Sequence, residues 1–231
     1  MNGKGSVKLL GSSPSPFVNR VQISLKLKSI EHEFLLETFG SKSELLLKSN
    51  PVHKKIPVLI HDDKPISESL IIIQYIDEQW SSGHSIFPAD PYDRAITRFW
   101  AAYVDDKLIP SFRDFLMASE KERPAILEKL NEGLGFLDVA FVKFSKGKLF
   151  FGGNDISYLD IAFGSFLGCL KAIEKLREVS LLDESKTPHL VVWAESFLSH
   201  EAVKGFILDT DTLVEKISHE LNMIKSMVDN K

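Results

Sequence analysis

The chain has 231 residues, 44% apolar and 26% charged, ordinary globular proportions that exclude disorder and collagen-like repeats. Its 28 basic and 32 acidic residues leave a formal charge of −4, no footprint for nucleic acid or an anionic membrane. One cysteine, Cys169, rules out an internal disulfide and a thiolate metal site, so thiol chemistry must use that sulfur or one brought in by a substrate.

A lone cysteine points to a reducing compartment. Met1 to Leu10 holds no apolar stretch long enough for a signal-peptide core. The densest apolar run, Ser69 to Ile76, stops at Asp77, well short of the roughly 18 residues of a membrane span. The expectation is a soluble cytosolic protein.

The first half alternates strand and helix signals. Val7 to Gly11 is an apolar run ending in Ser12-Ser13-Pro14, a strand and then a turn. Beyond Pro16, Val18, Val21, Leu25 and Leu27 keep helical spacing to about Ser29, and Glu33 to Glu37 reads as a second strand. Such a β-α-β unit implies parallel strands and a right-handed crossover. Leu45 to Lys48 is a short helical turn closed by Asn50-Pro51. Ile56 to His61 is an apolar strand, and Asp62-Asp63-Lys64-Pro65 a tight turn into an antiparallel partner. Ser67 is the expected cap of a helix from Glu68 to about Trp80. Residues 1–82 thus form a small α/β domain.

Ser81-Ser82-Gly83-His84-Ser85, with Pro88 and Pro91 beyond, marks a linker over 83–91. After it the strand signals nearly vanish, and 92–231 reads as an all-helical domain. Ile96, Phe99, Trp100, Tyr103 and Val104 step along one helix, which Pro110 is expected to kink or interrupt. A second helix runs from Glu120 to Phe144, with Leu127, Leu130, Leu134, Leu137 and Phe141 spaced for core packing. Ser157 and Asp160 form a capping box, flanked by Ile156 and Ile161 as a hydrophobic staple. The helix they open, Tyr158 to about Leu176, is apolar nearly all round. It is expected at the centre of the second domain, with Cys169 as a small buried hydrophobe. Thr187 to Val228 supplies one or two more amphipathic helices.

Most familiar catalytic constellations are missing. The seven histidines form no i, i+4 pair for a metal, and there is no Gly-x-Ser-x-Gly elbow, phosphate loop or dinucleotide fingerprint. Asp105 and Asp106 diverge by ~100° on a helix and read as a solvated face. Three weaker signals remain, all in the first domain. Ser15-Pro16 opens the first helix as an N-cap serine with proline at N1, and its hydroxyl lies beside helix N–H groups that favour an anion. Ile56-Pro57 enters a strand and is a candidate cis peptide. Glu68-Ser69 opens another helix, whose free N–H groups suit a carboxylate.

Together these residues carry a family likeness. Ser15-Pro16-Phe17, Asn50-Pro51-Val52-His53-Lys54-Lys55-Ile56-Pro57-Val58-Leu59 and Glu68-Ser69-Leu70 resemble the glutathione transferases, in particular the plant tau class. The likeness continues through Pro88-Ala89-Asp90-Pro91-Tyr92 and Arg98-Phe99-Trp100-Ala101, and so covers essentially the whole chain. It implies a thioredoxin-like N-terminal domain followed by an all-helical domain, glutathione as co-substrate, no metal, and a homodimer. Arg94 and Arg98 are interface candidates, with solvated helix charges the equal alternative.

The resemblance also implies roles. Ser15 is the catalytic hydroxyl, donating a hydrogen bond to the glutathione sulfur. Ile56, ahead of a cis-Pro57, pairs its backbone with the cysteinyl unit. Glu68 meets the α-ammonium group of the γ-glutamyl end, and Ser69 takes that end's carboxylate. Lys42 and Lys55 hold the glycine carboxylate. The thiolate then attacks a small apolar electrophile in a site between the domains, at Ser12, Ile109, Phe112, Arg113, Leu116 and Phe166. Tau-class chains commonly carry Phe-Trp ahead of the catalytic serine segment, whereas this one has Ser12-Ser13. That departure should widen the pocket or make it more polar. Peroxidase activity towards organic hydroperoxides suits the same thiolate. The alternative is a non-catalytic carrier of apolar ligands or glutathione conjugates. Thiol-disulfide oxidoreductases on this fold place cysteine where Ser15 stands.

Overall fold

A computed structural model describes residues 5–38 and 40–229, with side chains through Met223 and at Ser226. The first half runs β1 (Val7–Gly11), α1 (Pro16–Leu27), β2 (Glu33–Leu36), α2 (Glu44–Ser49), β3 (Val58–His61), β4 (Lys64–Ser67) and α3 (Ser69–Gln79). The strands form one sheet in the order β2-β1-β3-β4. β1 is parallel to β2, with Leu9 opposite Phe34, and β3 is antiparallel to both β1 and β4. The parallel pair is what a helical crossover between consecutive strands requires.

Alternation along the strands divides the core. Leu9 and Leu59 face α1 and α3, where they join Val18, Val21, Leu25, Ile72, Ile73 and Ile76. Leu10, Val58 and Ile60 point the other way and pack with Leu46 of α2. The β3–β4 hairpin turns on Asp62 and Asp63, both with left-handed backbone at φ 48° and 63°. Aspartate tolerates that region better than most residues, and such a pair matches the strand twist.

Two boundaries in this half differ from expectation. β3 begins at Val58 and not Ile56, because Pro57 has no N–H to give the ladder. Ser67 belongs to β4, opposite Val58, so the residue that precedes α3 is Glu68.

The second half is helical: α4 (Pro91–Tyr103), a π-helical segment Val104–Leu108, α5 (Ile109–Met117), α6 (Arg123–Ser145), α7 (Tyr158–Gly164), α8 (Leu167–Arg177), α9 (Pro188–Ser199) and α10 (Thr210–Asp229). Pro110 does interrupt the regular helix, in a particular way. The turn ahead of it widens, and the Ile109 N–H reaches the Val104 carbonyl five residues back.

The helix expected from Tyr158 to Leu176 is instead two. Ser165 Oγ donates to the Ile161 carbonyl at 2.8 Å, and the Phe166 N–H tightens onto Phe163. Gly164 sits at this break because a Cβ there would lie 2.5 Å from the Phe197 ring. α7 is nonetheless buried along its whole length, as the apolar sequence required.

The linker is pinned from both sides. Asp77 of α3 accepts from the Ile86 and Phe87 N–H groups at 2.9 and 3.2 Å, and holds Lys28 Nζ at 2.7 Å. From the helical side, the Tyr158 N–H donates to the Ile86 carbonyl, and His84 Nε2 donates to the Ile156 carbonyl at 2.7 Å. No helix among the described residues is long and apolar enough to cross a membrane.

Candidate active site

Ser15 stands at the N-cap of α1, with Pro16 in the first turn, as the sequence pairing required. Its backbone is extended and its N–H donates to the Ser12 carbonyl at 3.1 Å. The Oγ accepts the Val18 N–H at 3.4 Å, a long contact that commits a lone pair and leaves the hydroxyl proton free. A half-buried hydroxyl at a helix N-terminus can therefore donate to an anion. The peptide bonds Ser13–Pro14 and Ile56–Pro57 are both cis; the sequence reading anticipated only the second.

The other candidates gather around the ends of α2 and α3. Glu37 accepts from Ser43 Oγ at 2.5 Å and from its N–H at 3.2 Å, which fixes the N-cap of α2 directly after Lys42. Asn50 braces the next loop: its side chain accepts from the His53 N–H at 3.1 Å and donates to the Lys55 carbonyl at 2.9 Å. Lys42 and Lys55 are exposed, and among the described residues neither forms an ion pair. Two cations are thus left for an external carboxylate.

Glu68 projects into solvent with His53 Nε2 at 3.9 Å. Its backbone lies at φ 72°, ψ 113°, a strained conformation for a non-glycine residue, and such strain concentrates at functional sites.

Sequence reasoning missed one residue at the centre of this arrangement. Arg20, on the buried face of α1, has no solvent exposure. Its Nη1 donates to Ser69 Oγ at 3.1 Å and to Asp105 Oδ2 at 3.1 Å. Nη2 reaches Asp105 Oδ1 at 2.5 Å and the Ala162 carbonyl at 2.6 Å, and Nε donates to the same carbonyl at 3.0 Å. Asp105 is therefore half of a bidentate ion pair across the two halves of the chain. The solvated-face reading holds for Asp106 only, which stays exposed. Because Ser69 Oγ accepts from Arg20, its own proton is directed elsewhere. The sequence signal was a cation on an apolar helix face, which almost always has a partner.

The residues expected to hold the electrophile are not all alike. Phe166 packs edge-on to Phe17 at 5.1 Å, and the Arg20 guanidinium lies 5.0 Å from its ring centre. Phe166 and Phe112 are both buried. Ile109 and Leu116 are half-buried on α5, and Arg113 is exposed beside Asp114. Ser12 lines a separate cleft of about 440 Å³, with Ser13 and Pro14 on one side and Glu215, Lys216, His219, Glu220 and Met223 of α10 on the other. A larger cavity of about 790 Å³ lies between the linker and the end of α6 and contains none of the candidate residues.

Cys169 on α8 is half-buried and not fully enclosed. Burial, with a smaller push from Glu220, raises its thiol to about 11. It is protonated at neutral pH and is no nucleophile there. Among the described residues no three His, Cys, Asp or Glu side chains gather as a metal group.

Comparison with known proteins agrees with this geometry over both halves. Residues 5–78 match the family described as "Glutathione S-transferase, N-terminal domain", and residues 92–201 match "Glutathione S-transferase, C-terminal domain". The chain is 58% identical over 211 residues to Arabidopsis thaliana glutathione S-transferase U17, covering 90% of this chain and 93% of that one. A crystal structure of a tau-class glutathione S-transferase from mango, Mangifera indica, superposes with a TM-score of 0.90 at 57% identity, over 92% of this chain and 97% of that one. A rice glutathione S-transferase solved with glutathione superposes with a TM-score of 0.88 at 30% identity, over 96% of this chain and 98% of the other.

Proposed function

The chain belongs to the glutathione S-transferase family as a tau-class glutathione transferase, and on that basis we propose that Ser15 holds the glutathione sulfur as a thiolate for attack on a small, largely apolar electrophile. The observation that carries the reading is the Ser15 hydroxyl at the N-terminus of α1, with its proton uncommitted.

The energy required is modest. A thiol near pKa 8.5 is only a few per cent ionised at pH 7, and lowering it by ~2 units costs about 2.7 kcal/mol of differential stabilisation. A hydrogen bond to a charged group contributes ~1.5–3 kcal/mol and a helix N-terminus ~0.3–1. Ser15 acts as a donor and takes no proton; the thiol proton passes to solvent. The thiolate forms a bond to the electrophilic carbon, and the leaving group departs with its electron pair.

The rest of the peptide is held by charge. Glu68 suits the α-ammonium group, and the Ser69 hydroxyl, held by Arg20, suits the neighbouring carboxylate. Lys42 and Lys55 suit the glycine carboxylate, and the Ile56 backbone ahead of Pro57 suits the cysteinyl unit. The same thiolate would serve an organic hydroperoxide. We place the enzyme in the cytosol as a homodimer.

The test is Ser15→Ala. Turnover of 1-chloro-2,4-dinitrobenzene should fall by roughly one to two orders of magnitude, the loss of one charge-assisted hydrogen bond. Retention on immobilised glutathione should persist. Equal rates for mutant and parent across several electrophiles would remove Ser15 from the mechanism. Binding without turnover of any electrophile would favour the carrier.

A further inference from the structure

α5 carries Ile109, Phe112, Arg113 and Leu116, all expected to meet the electrophile, and they divide by face. Phe112 is buried with Phe115, while Ile109, Arg113 and Leu116 follow one another at helical spacing along the neighbouring stripe. Where that stripe lies depends on how each end of α5 is held. The start is set by the widened turn before Pro110. The far end has no glycine: Ala118 is extended, at φ −64° and ψ 147°, so the last carbonyls lack the left-handed turn that commonly closes a helix.

Two arginines from other helices take its place. Arg177, in the last turn of α8, donates from Nη2 to the Leu116 carbonyl. Arg123, at the first position of α6, donates from Nε to the Ala118 carbonyl at 3.1 Å.

Neither placement is favourable in itself. Arg123 puts a cation at the positive end of a 23-residue helix. Arg177 is half-buried, with its Nε enclosed and without a partner. Burial first, and then the nearby Arg123, pull its pKa below the usual arginine value. Among the described residues neither guanidinium forms an ion pair with a carboxylate. The acids close by in sequence are committed elsewhere. Glu122 accepts from Ser119 Oγ at 2.6 Å and its N–H at 3.1 Å, and Glu174 accepts the Leu181 and Leu182 N–H groups at 2.7 and 3.0 Å. The pair is thus a costly way to end a helix, and what it gains is a fixed place for the Leu116 backbone.

We propose that Arg177 and Arg123 are positioning residues of the electrophile site: they hold the far end of α5, and with it Leu116 and Arg113, so that the site rejects bulky electrophiles. This rests on the transferase reading and on α5 as a wall of that site.

Benzyl isothiocyanate and 1-naphthylmethyl isothiocyanate, which differ by one fused ring, provide the test. In each the glutathione sulfur bonds to the central carbon, the carbon–nitrogen π pair moves to nitrogen, and nitrogen takes a proton from solvent. Each kcat/KM is divided by the rate constant of the uncatalysed reaction, and the naphthyl value is then divided by the benzyl value. Methionine keeps the apolar stem of arginine and removes its donors. In Arg177→Met the ratio should rise about fivefold over the parent, the effect of one net hydrogen bond. The change should appear in KM for the isothiocyanate. KM for glutathione should stay as it was, because Lys42, Lys55, Glu68 and Ser69 all lie in the first half. Arg123→Met should move the ratio in the same direction, and it carries the test if Arg177→Met does not fold.

A lowered melting temperature with an unmoved ratio in either folded variant makes the arginines plain helix caps and overturns the proposal. An equal rise in KM for glutathione overturns it too, and in both cases the transferase reading stands. A parent that turns over neither isothiocyanate also overturns it. One that leaves 1-chloro-2,4-dinitrobenzene unreacted as well removes the transferase reading with it.

Discussion

Arg20 is the residue on which the two halves of the chain converge, and its chemistry sets its tolerance to change. Its guanidinium satisfies Ser69, Asp105 and Ala162 at once. Arg20→Ala leaves Asp105 without its counter-ion and a buried carbonyl without a donor, which should cost about 3–5 kcal/mol. Urea unfolding measures that loss. Arg20→Lys should recover little, since an ammonium cannot reproduce the two-pronged geometry. A full recovery of stability by lysine would show that only charge matters. At Cys169 the raised thiol predicts slow chemistry: alkylation at pH 8 in the folded state should run roughly two orders of magnitude below a free cysteine. Ser15 was readable from the sequence because a helix N-cap with proline is a local pattern. The Arg20 pair was not, because its acid lies 85 residues away and stands beside an aspartate of identical type.

The helix start at α7 was equally local, and the structure bears it out. The Asp160 carboxylate accepts the Ser157 N–H at 2.8 Å, one half of the capping box, and also takes the Ser157 Oγ proton at 2.7 Å. The structure adds what the pattern did not reveal: the same carboxylate accepts from the Phe151 and Gly152 N–H groups and from Trp193 Nε1 at 2.7 Å. It ties the incoming loop, α7 and α9 into one joint. Asp160→Ala strands five donors, four of them on buried residues, so we expect at least about 3 kcal/mol of lost stability, read from the shift in denaturant midpoint. A loss below about 1 kcal/mol would reduce the role to an ordinary cap. Where elements end was harder to read than where they start. At the α7–α8 break the Phe197 ring fills the space a Cβ on Gly164 would need, and the form taken by the Pro110 interruption depends on which carbonyl Ile109 can reach. Neither is written in local spacing.

At the scale of the molecule, the division into an α/β half and a helical half was legible from where the strand signals stop. The strength of the connection was not, since a glycine- and serine-rich segment reads as slack. Asp77 holds that segment from one side, and Tyr158 and His84 hold it from the other. One cooperative unfolding transition is therefore expected by calorimetry. Asp77→Ala should separate it into two; a single transition in that variant would locate the coupling at Arg20 instead. Sedimentation at micromolar concentration should give twice the 26.0 kDa of one chain. The ion pair between Arg20 and Asp105 has a consequence for the order in which the molecule is made. The first half leaves the ribosome carrying Ser15, Ser69 and Arg20, but the aspartate and the Ala162 carbonyl that anchor the guanidinium are translated later. Until then the arginine has no fixed position from which to orient Ser69. On the proposed binding mode, a chain terminated before Ala162 lacks the partners that orient Ser69 and is expected not to be retained on immobilised glutathione.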